Sequence, residues 1–252
     1  MKIFKIILLS LIILCCIHVS NPVYAEQQNK VLILHPFQLD PSVVINSILT
    51  LHLSKLKKLF NDNGYIVDDQ NILKNKKANI SGFLRINNPE YKIIYIATHI
   101  SSQGIVTTGE KVKKNWQPTT PFGKKVYDIA QITRGFAGVG KISKLGIFQK
   151  YYIGLRPAWW ERINLKGKII FFANCNGLVK NELYNIFQKS NVSAVVGYNR
   201  DISIVWEADD ILSFVLNPIF KNRKTMDLKM TVEKAEKKSP GLVIIKGDGV
   251  YL

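Results

Sequence analysis

Four short apolar runs constrain this chain more than any other feature: Val31 to the position before His35, Ile93–Ala97, Ile169–Ala173 and Val192–Val196, the last broken only by Ser193. Each is too short for a helix, which needs ten or more residues of periodic signal. Apolar side chains at successive positions, rather than alternate ones, mark strands buried on both faces. Helical periods separate them. Ile45, Leu49, Leu53, Leu56 and Phe60 recur every three or four residues and stop at Asn63 and Gly64. Leu178–Gln188, Glu207–Leu216 and Met226–Lys237 predict three more helices, the last ended by Ser239, Pro240 and Gly241. Tyr65–Val67 reads as a short further strand and Leu242–Ile245 as an edge strand. Strand and helix in alternation predict an α/β fold, a three-layer sandwich with a mainly parallel sheet.

The first 25 residues carry a different message. Lys2 and Lys5 precede the apolar stretch Ile6–Ile17, and a polar segment then leads to Val23, Tyr24 and Ala25. This is the pattern of an export signal, too short in its apolar part to span a bilayer comfortably. The expectation is a secreted or periplasmic protein beginning near Glu26, with no transmembrane segment thereafter. Cys15 and Cys16 lack the small residues that precede a lipid-anchored cysteine. The remaining 227 residues suit one domain, 26–252. They keep a single cysteine, Cys175, so an internal disulfide is excluded. Without Lys2 and Lys5 the formal charge falls from +17 to +15. That balance favours an anionic envelope component as partner, such as a membrane face, a cell-wall polymer or an acidic protein. No phosphate-binding glycine loop and no nucleic-acid recognition motif is present, so no specific nucleic acid is expected.

The stretch 100–167 has no sustained period and reads as a long insertion. One helix is predicted inside it, Phe122–Gln131, with Thr120 as cap and Pro121 in the first turn. Trp159 and Trp160, with Tyr151 and Tyr152 upstream, fit either core packing or a carbohydrate- or membrane-facing surface. Lys221, Arg223 and Lys224 belong to a basic helical face, solvated or turned to an anionic partner.

In open parallel sheets ligands bind beyond the C-terminal ends of the strands. His35, His99 and Cys175 all follow strand-forming runs. Asn176, Gly177 and the predicted helix come after Cys175, which would place the thiol near a helix N-terminus that favours the thiolate. His99 could then take or return a proton. His35 reads as a strand-ending residue, able to approach His99 if their strands are neighbours. His52, one helical step from Ile48 and Leu56, reads as a packing residue. The wide spacing of His35, His52, His99 and Cys175 offers no metal motif, and neither metal nor cofactor is expected.

The segments I-I-Y-I-A-T-H ending at His99, I-I-F-F-A-N-C-N-G around Cys175 and S-A-V-V-G-Y-N ending at Asn199 resemble the core of the caspase-like cysteine peptidases, particularly the clostripain, gingipain and CHAT branches. The resemblance covers roughly residues 30–220 and is sharp only in these segments. It implies a caspase-like sheet with a histidine after one strand and a cysteine after the next, and a peptide or protein substrate. Cys175 would be the nucleophile and His99 the group that protonates the leaving amine. Backbone N–H groups at Ile100 and Cys175 would face the oxyanion. Asn174, Tyr198, Asn199 and Asp201 would line the substrate pocket, Asp201 attracting Lys or Arg and Arg200 opposing it. Where the family has glycine after its histidine this chain has Ile100, and 76 residues separate His99 from Cys175. These departures give the alternative expectation of an inactive relative that binds or scaffolds at the cell envelope.

Overall fold

The computed structural model describes residues 29–36, 43–98, 100–101, 103–112, 137–144, 148–173, 177–201, 208–223 and 225–252. Residues 1–25, expected to form an export signal, and the predicted helix Phe122–Gln131 lie outside them.

Two sheets are present among the described residues. The larger has six strands: β1 (Lys30–His35), β2 (Ile72–Lys74), β3 (Tyr91–Ile96), β7 (Ile169–Phe172), β8 (Ala194–Tyr198) and β9 (Leu242–Lys246). Their spatial order is β2-β1-β3-β7-β8-β9, and all neighbours run parallel except β8 and β9. The smaller sheet lies within the insertion and is antiparallel, with β6 (Phe148–Leu155) between β4 (Val106–Val112) and β5 (Ala137–Lys144).

The apolar runs are continuous because the large sheet is covered twice. Val31, Ile33, Ile93, Tyr95, Ile169, Phe171, Ala194 and Val196 face one layer. That layer consists of α1 (Val43–Asp62), the helical stretch α5 (Ala208–Asp210), Ile211–Leu216 and α6 (Asn217–Lys221), and α7 (Leu228–Glu236). Leu32, Leu34, Ile94, Ile96, Ile170, Phe172 and Val195 face the other. There they meet α2 (Ile80–Leu84), α3 (Pro157–Trp160) and α4 (Glu182–Lys189). Both layers exclude water from alternate side chains of the same strands, so the hydrophobic term acts on consecutive residues of the central strands. The α/β class and the mainly parallel sheet expected from the sequence are therefore present.

Helix α1 places Leu53, Leu56 and Phe60 on the sheet, and the turn after it reaches Gly64, whose φ of +82° suits the left-handed position after a helix. The π-helical turns of Ile211–Leu216 precede Pro218, which lacks an N–H and would crowd the carbonyl of Phe214 in a regular helix. Trp159 and Trp160 are both buried against Phe83. Trp160 also stacks edge-on to Phe172 and Phe187, so a carbohydrate- or membrane-facing role for this pair is excluded.

Several boundaries differ from expectation for local reasons. Tyr65–Val67 is not a strand: Ile66 makes an isolated bridge to Lys30, and the Asn61 side chain takes the Val67 N–H at 2.9 Å. The edge strand beside β1 is instead β2. Helix α4 starts at Glu182 rather than Leu178, because Asn181 caps it by accepting from the Tyr184 N–H at 3.1 Å. The Leu178 N–H turns to the Tyr198 carbonyl at 2.8 Å.

Candidate functional site

The C-terminal edge of the large sheet is built from the ends of β1, β3, β7 and β8. β3 and β7 are hydrogen-bonded neighbours with Ile96 opposite Phe172, and the Ala173 N–H reaches the Ile96 carbonyl at 2.9 Å. On the other side the Ala97 N–H reaches the Leu34 carbonyl at 2.9 Å, so β1 and β3 are also adjacent. His99 follows Ile96 by three residues, and Cys175 follows Phe172 by three. His99, Asn174 and Cys175 themselves lie outside the described residues.

The chain around these positions is anchored. Thr98, 1% exposed, donates its hydroxyl to the Thr107 carbonyl at 2.5 Å. Ile100, the expected oxyanion residue beside His99, is buried with Ile96 and Val106 and forms an antiparallel bridge to Val106. Ser101 and Ile105 then close a turn through Ser101 N–H to Ile105 O at 3.1 Å and Gly104 N–H to Ser101 O at 2.8 Å. Gly104 has φ +78° and packs against α4: a Cβ there would lie 2.8 Å from Leu183 Cβ and 3.2 Å from Asn181 Oδ1. The turn after β3 and the cap of the helix after β7 are thus in direct contact. Only glycine fits this approach.

The expected helix N-terminus immediately behind Cys175 is not found. Gly177 to Asn181 form turn and bend, and α4 begins at Glu182. A helix field fades within its first turn, so sequence adjacency gives the thiol no such support.

The expected substrate-contact residues separate into two groups. Tyr198 is fully buried with its hydroxyl 3.1 Å from Ser239 Oγ, so its side chain belongs to the core and not to a pocket wall. Antiparallel pairing of β9 along β8, with Tyr198 opposite Leu242, places it there. Asn199 and Asp201 are exposed. The Asn199 N–H is held by the Gly241 carbonyl at 2.9 Å. Arg200 Nε donates to the Pro240 carbonyl and Nη1 to the Asp201 carbonyl at 2.8 Å.

Beneath this edge runs a polar chain that the sequence did not reveal. His52 of α1, 3% exposed, places Nδ1 2.6 Å from Asp209 Oδ1 and Nε2 2.9 Å from the Tyr95 hydroxyl. Lys55 approaches the other Asp209 oxygen at 3.2 Å. Burial alone would raise Asp209, but its bonds to His52 and Lys55 hold it below the usual carboxylate range. Burial lowers His52 against the pull of Asp209. A neutral His52 therefore donates from Nδ1 to the carboxylate and accepts the Tyr95 proton at Nε2. His35 is buried at the end of β1, and burial, with His52 and Lys74 adding to it, lowers its pKa to about 4. A second chain links Tyr198, Ser239 and Asp210, with Ser239 donating to Asp210 at 2.7 Å. The only sequence signal for either was a polar residue in step with core positions.

Among the described residues no three His, Cys, Asp or Glu side chains gather as a metal site, and no helix is long and apolar enough to cross a membrane. Arg223, expected on an open basic face, is spent on Asn63, whose carbonyl and side-chain oxygens it reaches at 2.8 and 2.7 Å. Comparison with known proteins found no family model and no curated protein that matches the chain.

Proposed function

We propose that this chain is a secreted or periplasmic cysteine endopeptidase of caspase-like type in which His99 and Cys175 form the catalytic dyad. One observation carries the reading: β3 and β7 are parallel neighbours with Ile96 opposite Phe172, and His99 and Cys175 each follow that paired position by three residues in the sequence. Adjacent strands are about 4.8 Å apart, and three residues of chain reach at most about 10 Å. Such an arrangement lets the side chains approach within hydrogen-bonding distance. The Cys175 thiolate would attack the peptide carbonyl, with the Ile100 and Cys175 N–H groups as candidate oxyanion donors. The C–N bond then breaks, the amine leaves with a proton from His99, and water attacks the thioester with His99 as base to release the acid. Asn174, Asn199 and Asp201 are the candidate substrate contacts. A metal or cofactor has no part in this scheme.

Ile100 favours a second reading. Its buried side chain occupies the position where the family has glycine, which suits an inactive relative that binds or scaffolds at an anionic envelope surface. Labelling with a peptidyl electrophile across pH separates the two. The peptidase reading requires rapid labelling near neutrality that Cys175→Ala abolishes and His99→Ala slows, and cleavage of a peptide library by the parent alone. Labelling at the rate of a free thiol, indifferent to His99, selects the binding reading. N-terminal sequencing of protein from the medium or periplasm should find a start near Glu26; recovery only of an intact Met1 form from the cytosol would overturn export.

A further inference from the structure

We infer that Thr98 is a positioning residue for His99 and that the small antiparallel sheet is the scaffold through which it acts; this inference rests on the peptidase reading above. Both neighbours of residue 99 are tied to consecutive positions of β4. Thr98 binds the Thr107 carbonyl through its hydroxyl, and Ile100 pairs with Val106. Thr98 is buried, so water does not compete for this bond.

β4 is itself held on two sides. Along β6, Val106 lies opposite Leu155 and Thr107 opposite Gly154. Toward the edge of the large sheet, the Gly109 N–H donates to the Ala78 carbonyl at 2.8 Å, and a Cβ on Gly109 would fall 1.8 Å from the Asn75 carbonyl oxygen. Backbone therefore meets backbone on this side, with no flexible side chain to absorb a shift. Leu155 leads directly into α3, whose tryptophans are buried in the core. The residues on either side of His99 are bonded to this frame, and the turn that follows them packs through Gly104 on Asn181 and the helix that follows Cys175. Thr98 touches no reacting atom in this scheme. Its role in the proposal is to hold the backbone that leads into His99, and a displacement of about 1 Å in a catalytic group can slow a reaction on the order of 100-fold.

The test compares the parent protein with Thr98→Val, Thr98→Ser and His99→Ala. Electrophile labelling of Cys175 is measured across pH and thermal midpoints are recorded alongside. Thr98→Val keeps the shape and loses the hydroxyl. It should slow labelling by about 10- to 100-fold and weaken the part of the pH profile that depends on His99. Thr98→Ser keeps the hydroxyl and should restore most of the rate, even where the missing methyl group lowers the midpoint. A Thr98→Val protein that labels at the parent rate with the parent pH profile, whatever its stability, overturns the positioning role. If Thr98→Val does not fold, Thr98→Ser against Thr98→Ala makes the same comparison, because that pair differs only in the hydroxyl; equal rates overturn the inference. A parent rate indifferent to His99→Ala removes the peptidase reading and this inference with it, a result distinct from a His99-dependent parent that ignores Thr98.

Discussion

The Nε2 atom of His52 lies 2.9 Å from the Tyr95 hydroxyl, joining the first helix to a central strand of the large sheet inside the core. Both residues are buried, and the Asp209 carboxylate on the opposite side of the imidazole completes the chain. Burial raises Tyr95 well above the ordinary phenol range, so its proton stays available for donation. Replacing Tyr95 by Phe keeps the ring and strands the His52 acceptor. The expected loss of stability is about 1–3 kcal/mol, the usual cost of an unsatisfied buried polar group. Urea unfolding at neutral pH would measure it, and an unchanged midpoint would mean that the bond contributes nothing net.

His35 should make the protein acid-sensitive in a defined window. Its folded pKa is about 4, against about 6.5 in an unfolded chain. Between those values the unfolded chain binds a proton that the folded protein refuses, so stability is complete above pH 6.5 and is lost as pH falls toward 4. The loss from this group is about 3 kcal/mol. His52, lowered in the same direction, adds to it. Denaturant midpoints measured between pH 4 and 7 should fall with acid, and His35→Gln should flatten the slope without abolishing it.

Lys168 predicts the reverse end of the pH scale. Its ammonium group is buried and donates to the Asn88 and Tyr91 carbonyls at 3.0 and 2.9 Å, with no carboxylate among these bonded partners. Burial, helped by Lys92, lowers its pKa to about 8 from 10.5. Above pH 8 the folded protein releases this proton before the unfolded chain does, so stability should rise between pH 8 and about 10. Beyond that, tyrosines whose pKa is raised by burial, Tyr65 and Tyr95, oppose the trend. Thermal melts of the parent and of Lys168→Met across this range check the claim: the rise belongs to the parent and should be absent from the variant.

Asp201 carries a prediction about specificity. It is exposed beyond β8, and Arg200 beside it donates to the Pro240 and Asp201 backbone carbonyls. If the protein cleaves peptides, Lys or Arg should be preferred before the scissile bond, and Asp201→Asn should reduce that preference by about 10-fold through loss of one charge pair. Indifference of the parent to substrate charge would remove Asp201 from the pocket and leave the dyad assignment intact.

The strands β1, β3, β7 and β8 were legible because burial on both faces writes itself into consecutive residues. Runs such as Ile169–Phe172 need no partner to be recognised. The insertion lacked that signal. Gly138, Gly140 and Gly154 interrupt its strands, and pairing such as Gly138 with Gly154 is a tertiary fact with no local trace. Tyr198 ends an apolar run and could have faced either way; its burial follows from β9, more than forty residues later in the chain. His52 and Asp209 stand 157 residues apart, and neither has a neighbour that announces the other. That β3 and β7 are neighbours was readable only as an expectation, since strand order is not encoded in either segment alone.

The sheet order also dictates how the structure can be assembled from one end. β1 gathers β2 and β3, and β7, β8 and β9 each dock on the strand before them in this sheet, so the growing edge moves steadily outward. At every stage that edge is a strand apolar on both faces. Until Leu242–Lys246 arrives, Ala194–Tyr198 offers five buried residues and a row of open backbone groups. An unfinished or clipped chain lacking β9 is thus a template for pairing with another copy. In the complete molecule the antiparallel last strand covers the β8 edge and takes up its backbone groups.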